Sequence, residues 1–301
     1  MRFTKVPYYG DPSSIQQYFS SLNINLLCCR FWWLKKWESQ NMSFPYWRMY
    51  WNNTEGASIT FESLHYNLLS DMLYLIPPNT PFSTNLLYKD KILSGYSLEG
   101  GRLTKKLFQD KEFLNNTILH LFIHFNLGMP YDFIPPNIYS IPVTHEIKNK
   151  IDQITHYIIK ENRLFNLSVS LIIYSLISNA VAQIPYDNLN IISTDIRILK
   201  VLKEIEMNTE RTLNNTLLAD ITHMSPNSFA RLFRQEVGES PQNYIKRRRI
   251  EKAGSLLHHS NFSIDHIAQI TGFANRYHFS RVFRELTGVS PAAFRKGYIL
   301  F

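Results

Sequence analysis

Up to about residue 142 the apolar positions come in short runs broken by Gly, Pro, Asn and Asp, the pattern of strands and turns. The runs Leu26 to Leu34, Tyr46 to Trp51, Ala57 to Phe61, Leu68 to Ile76 and Leu119 to Phe125 are rich in aromatic or β-branched residues and predict strands of a barrel or sandwich. From Thr144, a suitable N-cap, the period changes: Ile147, Ile151, Ile154 and Ile158 recur at helical spacing. Leu164 to Tyr186 then runs 23 residues without a charge, which reaches membrane-spanning length. Seven Ser, Asn and Gln residues interrupt it. Ser168, Ser175 and Asn179 fall on one face and Leu167, Leu171, Ile177 and Val181 on the other, so an amphipathic interface helix is expected rather than a membrane span. The two helices either pack onto their own barrel or pair with a second subunit; the width of their apolar stripes favours a homodimer. Pro185 to Asn190 reads as a linker, and the chain beyond it as helical to its end.

That last part repeats itself at a spacing of about 50 residues. Ala219, Ile221 and Thr222 match Ala268, Ile270 and Thr271 with a shift of 49, while Arg231, Phe233, Arg234, Gly238, Ser240 and Pro241 match Arg281, Phe283, Arg284, Gly288, Ser290 and Pro291 with a shift of 50. Each copy predicts a short apolar helix, a turn and a longer amphipathic helix, over about 217–237 and 264–287. In the first, Ser225 is the N-cap and Pro226 the first helical residue; in the second, Gly272 allows a left-handed turn and Asn275 caps the helix. Phe229, Leu232 and Phe233 point inward, as do Phe279, Val282 and Phe283, and leave polar residues outside. Such a helix fits the major groove, where Arg reads guanine and Asn reads adenine. Gln242 to His258, with the run Lys246-Arg247-Arg248-Arg249, predicts a joining helix of roughly 25 Å at 1.5 Å per residue.

Composition sharpens this. The 301 residues carry a formal charge of +8 with a pI near 9.3, and the last 109 hold 16 basic and 10 acidic residues, three quarters of the excess. A near-neutral module is thus joined to one that meets phosphate. The two cysteines, Cys28 and Cys29, are adjacent, a spacing poorly suited to a disulfide. Met1 to Tyr9 lacks the apolar core of a secretory signal, and a cytoplasmic chain is expected. No Gly-rich phosphate loop, nucleophile elbow or metal-ligand spacing argues for an enzyme.

Ile267-Ala268, Gly272-Phe273, Phe279-Ser280-Arg281-Val282-Phe283-Arg284, Gly288-Val289-Ser290-Pro291 and Phe294-Arg295 resemble the signature of AraC/XylS-type transcription regulators. The resemblance covers about residues 195 to 298. It implies that both recognition helices enter double-stranded promoter DNA and that the protein activates by contacting RNA polymerase. It also implies base contacts from Asn227, Ser228, Arg231, Arg276, Tyr277, Ser280 and Arg281; Arg234, Arg284, Lys246 and Arg248 read as phosphate contacts, with a solvated helix face as the alternative. For Arg231 and Arg281 a phosphate or a buried acid stays open as the alternative. The segments Tyr46 to Asn52, Leu75 to Pro81 and His120 to Phe125 resemble the cupin-type sensors of that family. The expected fold is therefore α+β: a cupin-like β-barrel over 1–142, a helical pair over 143–184, a linker over 185–194 and an all-α DNA-binding domain over 195–301.

Within the barrel, His120, Phe122, His124 and Asn126 share one face by the two-residue period, so His120 and His124 either line the barrel or pack. No His-x-His with a nearby Glu is present, and neither a metal nor a cofactor is expected. Five tryptophans between Trp32 and Trp51 suit either stacking on a sugar or a core, and Trp47 joins the two histidines as a candidate effector contact. The function expected is a ligand-responsive activator of a metabolic operon, carbohydrate use among the candidates. The alternative is a DNA-binding regulator whose barrel only dimerises.

Overall fold

The computed structural model describes residues 22–86, 97–128, 131–160, 164–185, 189 and 195–299. Its first half is an antiparallel sheet curled into a half-barrel. The strands are β1 (Asn25–Met42), β2 (Trp47–Asn52), β3 (Ala57–Phe61), β4 (Leu64–Asn67), β5 (Met72–Ile76), β6 (Phe82–Leu86), β7 (Ser97–Arg102), β8 (Ile118–Asn126) and β9 (Tyr139–Pro142). They run in the order β4-β3-β6-β1-β8-β2-β5-β9, with β7 paired to β1. β1 binds the layers together: its first half pairs with β8 and its second with β7 and β6, and its register shifts near Leu26, Leu34 and Ser39, where the strand bends.

The alternation of side chains divides the sheet cleanly. Trp47, Met49, Trp51, Leu73, Leu75, Leu121, Ile123 and Phe125 face outward onto α3 (His145–Ile159) and α4 (Leu167–Val181). Tyr46, Arg48, Tyr50, Tyr74, His120 and His124 take the other face, with Trp37, Ile59 and Phe82 in the inner core. Each large apolar side chain so buried contributes about 1.5–3 kcal/mol, which makes the helical pair an integral layer of this half. Thr144 caps α3 by accepting the Ile147 amide at 3.3 Å.

The run Leu68 to Ile76 is a strand only from Met72, because the Met72 amide donates to the Leu69 carbonyl and closes a turn. The glycine-bearing β7 escapes a pattern reading for a packing reason: a Cβ on Gly100 would lie 2.7 Å from the Trp33 carbonyl oxygen. Two short helices, α1 (Lys105–Gln109) and α2 (Lys111–Asn115), precede β8. On α4 the buried face is Val169, Ile173, Leu176, Ile177 and Ala180. Of the apolar face read from the sequence, Ile177 and Val181 are buried, whereas Leu167 and Leu171 are 74% and 54% exposed: the helix is rotated so that the side bearing these two faces away from the sheet. Among the described residues no helix is long and apolar enough to cross a membrane. Most of the linker, 186–188 and 190–194, lies outside the described residues, as do residues 1–21.

The second half is helical: α5 (Ile196–Met207), α6 (Asn215–Thr222), α7 (Pro226–Val237), α8 (Pro241–His259), α9 (Ile264–Ile270), α10 (Arg276–Thr287) and α11 (Pro291–Ile299). Two small cores form, one around Phe229 and Phe233, the other around Phe279, Val282 and Phe283. α8 serves both, giving Tyr244 and Ile245 to the first and Ile250, Ala253 and Leu257 to the second.

Candidate nucleic-acid interface and the interdomain cavities

α6 and α7 form one helix-turn-helix and α9 and α10 the other. Ser225 and Asn275 cap the second helix of each by accepting the amides of Ser228 and His278. The turns reach left-handed backbone by different residues, His223 at φ 54° and Gly272 at φ 79°. With the phenylalanines buried, Asn227, Arg231 and Arg234 on α7, and Arg276, Tyr277, Arg281 and Arg284 on α10, are exposed. Tyr277 is 86% exposed, an aromatic ring held in solvent on the face of a rigid helix. Arg231 and Arg281 form no ion pair among the described residues, whereas Arg276 meets the exposed Asp265 at 3.1 Å, a pair weak enough to exchange. Ser228 and Ser280 are half-buried, and the Ser228 hydroxyl accepts from that of Ser225.

The basic run on α8 departs from expectation. Arg248 was to meet phosphate, but its guanidinium binds both carboxylate oxygens of Glu206 at 2.6 and 2.7 Å and also meets Glu251, with 14% of its side chain exposed. Arg247 joins Glu239 and Glu251 at 2.6 and 2.8 Å. Arg249 donates to the carbonyls of Thr209, Gly272 and Arg211 at 2.7, 2.8 and 2.7 Å. Three of the four cations therefore fasten α5, α8 and the turn before α10 together, and Lys246 alone of the run makes none of these bonds. Glu206, Glu239 and Glu251 sit 42, 8 and 3 residues from Arg248 or Arg247, and only the nearest pairing is visible as a helical spacing.

α8 also touches the half-barrel. The Tyr46 hydroxyl and His258 Nδ1 lie 2.9 Å apart, the His258 ring stacks on Phe294 at 4.3 Å, and Asn79 donates to Glu251 at 3.4 Å. Behind this contact is a cavity of about 80 Å³ lined by residues that include Cys28, Arg30, Trp37, His120, His124 and His259. Arg48 crosses it, donating to Tyr50 at 2.6 Å and Tyr46 at 3.1 Å while lying 3.2 Å from the Phe44 ring centre. Burial and this cation push His120 down to about 3 and hold His124 well below the usual histidine range. His120 shares a hydrogen bond of 2.6 Å with Asn52. Trp47 lies on the other side of the sheet, fully buried, stacked on Phe125 and donating to the Tyr131 carbonyl, so the structure separates it from the two histidines. A larger groove of about 870 Å³ opens beside α5 and α8, with Asn25, Asn126 and Asp132 from the barrel facing Lys203, Glu206 and Arg248. Asp132 accepts the Leu127 and Gly128 amides and is raised to about 6 by burial. Sequence reasoning passed over this groove, since no local spacing joins residue 25 to 126 or 203.

Residues 218–297 match the family described as a helix-turn-helix domain. The chain is 36% identical over 105 residues to the transcriptional activator RhaS of Escherichia fergusonii, covering 35% of this chain and 38% of that one. It is 35% identical over 99 residues to the regulator GlxA of Rhizobium meliloti, covering 33% and 31%. The chain thus spans less than two fifths of the length of these curated relatives. Over most of its length it resembles ToxT from Vibrio cholerae, with a TM-score of 0.51 at 13% identity, covering 93% of this chain and 99% of that one, a likeness of fold.

Proposed function

We propose, from the AraC-type helix-turn-helix domain that residues 218–297 form, that the protein is a cytoplasmic transcription regulator that places α7 and α10 in two major grooves of double-stranded promoter DNA. The observation that carries this is the pairing of two capped helices with exposed polar faces, Asn227, Ser228 and Arg231 on one and Arg276, Tyr277, Ser280 and Arg281 on the other, joined by one helix. At 1.5 Å per residue the 19 residues of α8 span about 28 Å, which suits recognition helices one DNA turn, about 34 Å, apart. Arg234, Arg284 and Lys246 take phosphate, and Arg248 is left as a structural cation.

The reading extends to an activator that contacts RNA polymerase and answers a small-molecule effector. The groove of about 870 Å³ has the size of small-molecule sites, and the few amides and carboxylates on its largely apolar wall can orient a hydroxyl-bearing ligand such as a sugar. A ligand seated there touches the barrel and α8 together, so it biases how the DNA-binding half is held. The exposed Leu167 and Leu171 on α4 favour a homodimer, and a barrel that only dimerises is the second reading.

Fluorescence anisotropy on promoter DNA at several salt concentrations tests the first claim: log affinity falls by about 0.9 per neutralised phosphate and decade of salt. Salt-independent binding, or none, overturns it. A thermal-shift screen of sugars and other metabolites on the full chain separates sensor from dimerisation module.

A further inference from the structure

The smaller interdomain cavity carries a feature that DNA binding does not use. Cys28 on β1 and His124 on β8 are direct cross-strand partners with side chains on the inner face, and His259, at the last position of α8, closes over them with its ring 5.3 Å from that of His124. One ligand atom from each, a thiol sulfur and two imidazole nitrogens, lies within 4.8 Å of the others. Nδ1 of His124, a residue 5% exposed, and both ring nitrogens of His259 are buried without a hydrogen-bond partner. Buried imidazole nitrogens left unpaired cost about 1–3 kcal/mol each, and one nitrogen from each ring beside a free thiol is the donor set of a soft or borderline metal ion.

We propose that Cys28, His124 and His259 bind a d10 cation, Zn(II) or Cu(I), that ties the half-barrel to the end of α8. The distances fit: donors at about 2.0–2.3 Å from an ion sit about 3.5 Å apart, so ligand atoms now within 4.8 Å of one another close by no more than about 1.3 Å. The volume fits as well. About 80 Å³ is room enough for an ion and its accompanying waters. Three protein donors leave a trigonal Cu(I) site, or a Zn(II) site whose fourth ligand is a water. Binding exchanges the Cys28 proton for the metal and releases it to solvent, with no change of oxidation state. Burial raises the thiol to about 11 and keeps both imidazoles neutral; the metal must displace the first and finds the lone pairs of the others available. Arg30 and Arg48 add positive charge nearby, which favours the monovalent ion. Because one ligand comes from α8 and two from the sheet, the site is complete only when the two halves are docked. The proposal stands whether or not the chain binds DNA.

The test is a titration of the reduced full-length protein with Zn(II) against a chromophoric chelator and, without oxygen, with Cu(I) against bicinchoninate. Co(II) substitution reads thiolate charge-transfer and tetrahedral visible bands. One equivalent of ion is expected, with a rise in melting temperature. Cys28→Ser and His259→Ala should each weaken binding by more than the about 10–100-fold that losing an outer-shell partner costs. Cys29→Ser, whose side chain packs into the outer core, should bind as the parent does. His259 stands at a helix end, so its variant keeps the test decisive if Cys28→Ser fails to fold. Absence of micromolar binding for both ions, or wild-type binding by His259→Ala, overturns the site.

Discussion

Gly272→Ala is the substitution whose cost the structure defines most sharply. Gly272 sits in the turn before α10 at φ +79°, where an L side chain costs about 1–2 kcal/mol. Gly288, at the same φ, and Gly238, at +86°, have no atom within 4 Å of an added Cβ, so alanine there should cost that backbone amount alone. At Gly272 the same Cβ would stand 2.7 Å from the Glu210 carbonyl oxygen and 2.8 Å from Arg249 Cζ. It therefore displaces the guanidinium that donates to Thr209, Gly272 and Arg211. Charge-assisted bonds of this kind contribute about 1.5–3 kcal/mol each; water can reach this half-buried group, so the three together should cost about 2–3 rather than their sum. The expectation is about 3–5 kcal/mol for Gly272→Ala against about 1–2 for Gly288→Ala, measured as the shift in urea midpoint followed by circular dichroism. A cycle with Arg249→Ala should be strongly non-additive, since both changes remove the same three bonds. Equal costs at 272 and 288, or an additive cycle, would refute the assignment of Arg249 as the tie between the two helix-turn-helix units.

Arg281→Ala should weaken anisotropy-measured affinity for a specific promoter by about 1–3 kcal/mol while sparing random DNA; equal loss on both would make Arg281 a phosphate contact. Arg234→Ala and Arg284→Ala should each lower affinity on any sequence and reduce the salt slope by about 1. Arg248→Ala leaves Glu206 and Glu251 facing each other with little solvent, so chemical unfolding should show a loss of about 3–5 kcal/mol; full stability with a reduced salt slope would restore Arg248 to the DNA face. His120 is neutral when folded, pushed down to about 3 from 6.5 by burial first and Arg48 second. The unfolded chain then takes up the proton first, and stability, complete above about pH 6.5, falls as the pH drops toward 3. Between pH 7 and 5 its share of the loss is about 2 kcal/mol, and His120→Gln should make the fall in urea-derived stability over that range shallower by that amount, while His124, His258 and His259, lowered by the same burial, keep theirs; an unchanged slope would exclude it.

The repeat was legible because each copy is local: cap, turn and amphipathic period fall within about 25 residues, and Ser225, Asn275 and the buried phenylalanines stand where the pattern puts them. The alternation along β8 likewise gave the correct two faces. What was not legible depends on partners far along the chain. Lys246 to Arg249 reads as a solvated basic stripe until Glu206 is known to lie across from it. The rotation of α4 follows from the sheet beneath it, since its period alone permits two apolar faces. Cys28 and His259 carry no mutual spacing; only the pairing of β1 with β8 and the docking of α8 bring them together.

The same helix resolves where the positive charge goes. Of the excess on the last 109 residues, the guanidiniums of residues 247 to 249 are spent inside the domain on carboxylates and carbonyls, so under the proposed function the charge left to meet DNA is that of α7, α10 and Lys246. α8 is then less a phosphate contact than a strut: one end fixes the spacing of the recognition helices, and the other reaches the barrel through His258, His259 and Glu251. A rigid helix fastened at both ends cannot shift at the barrel without moving what it spaces. Coupling between an interdomain ligand and DNA geometry therefore needs no chain of intermediaries, only a change in how tightly the last turn of α8 is held. By linkage, whatever tightens that hold must be bound more tightly in return by the DNA-compatible arrangement, or less tightly by it, to the same factor.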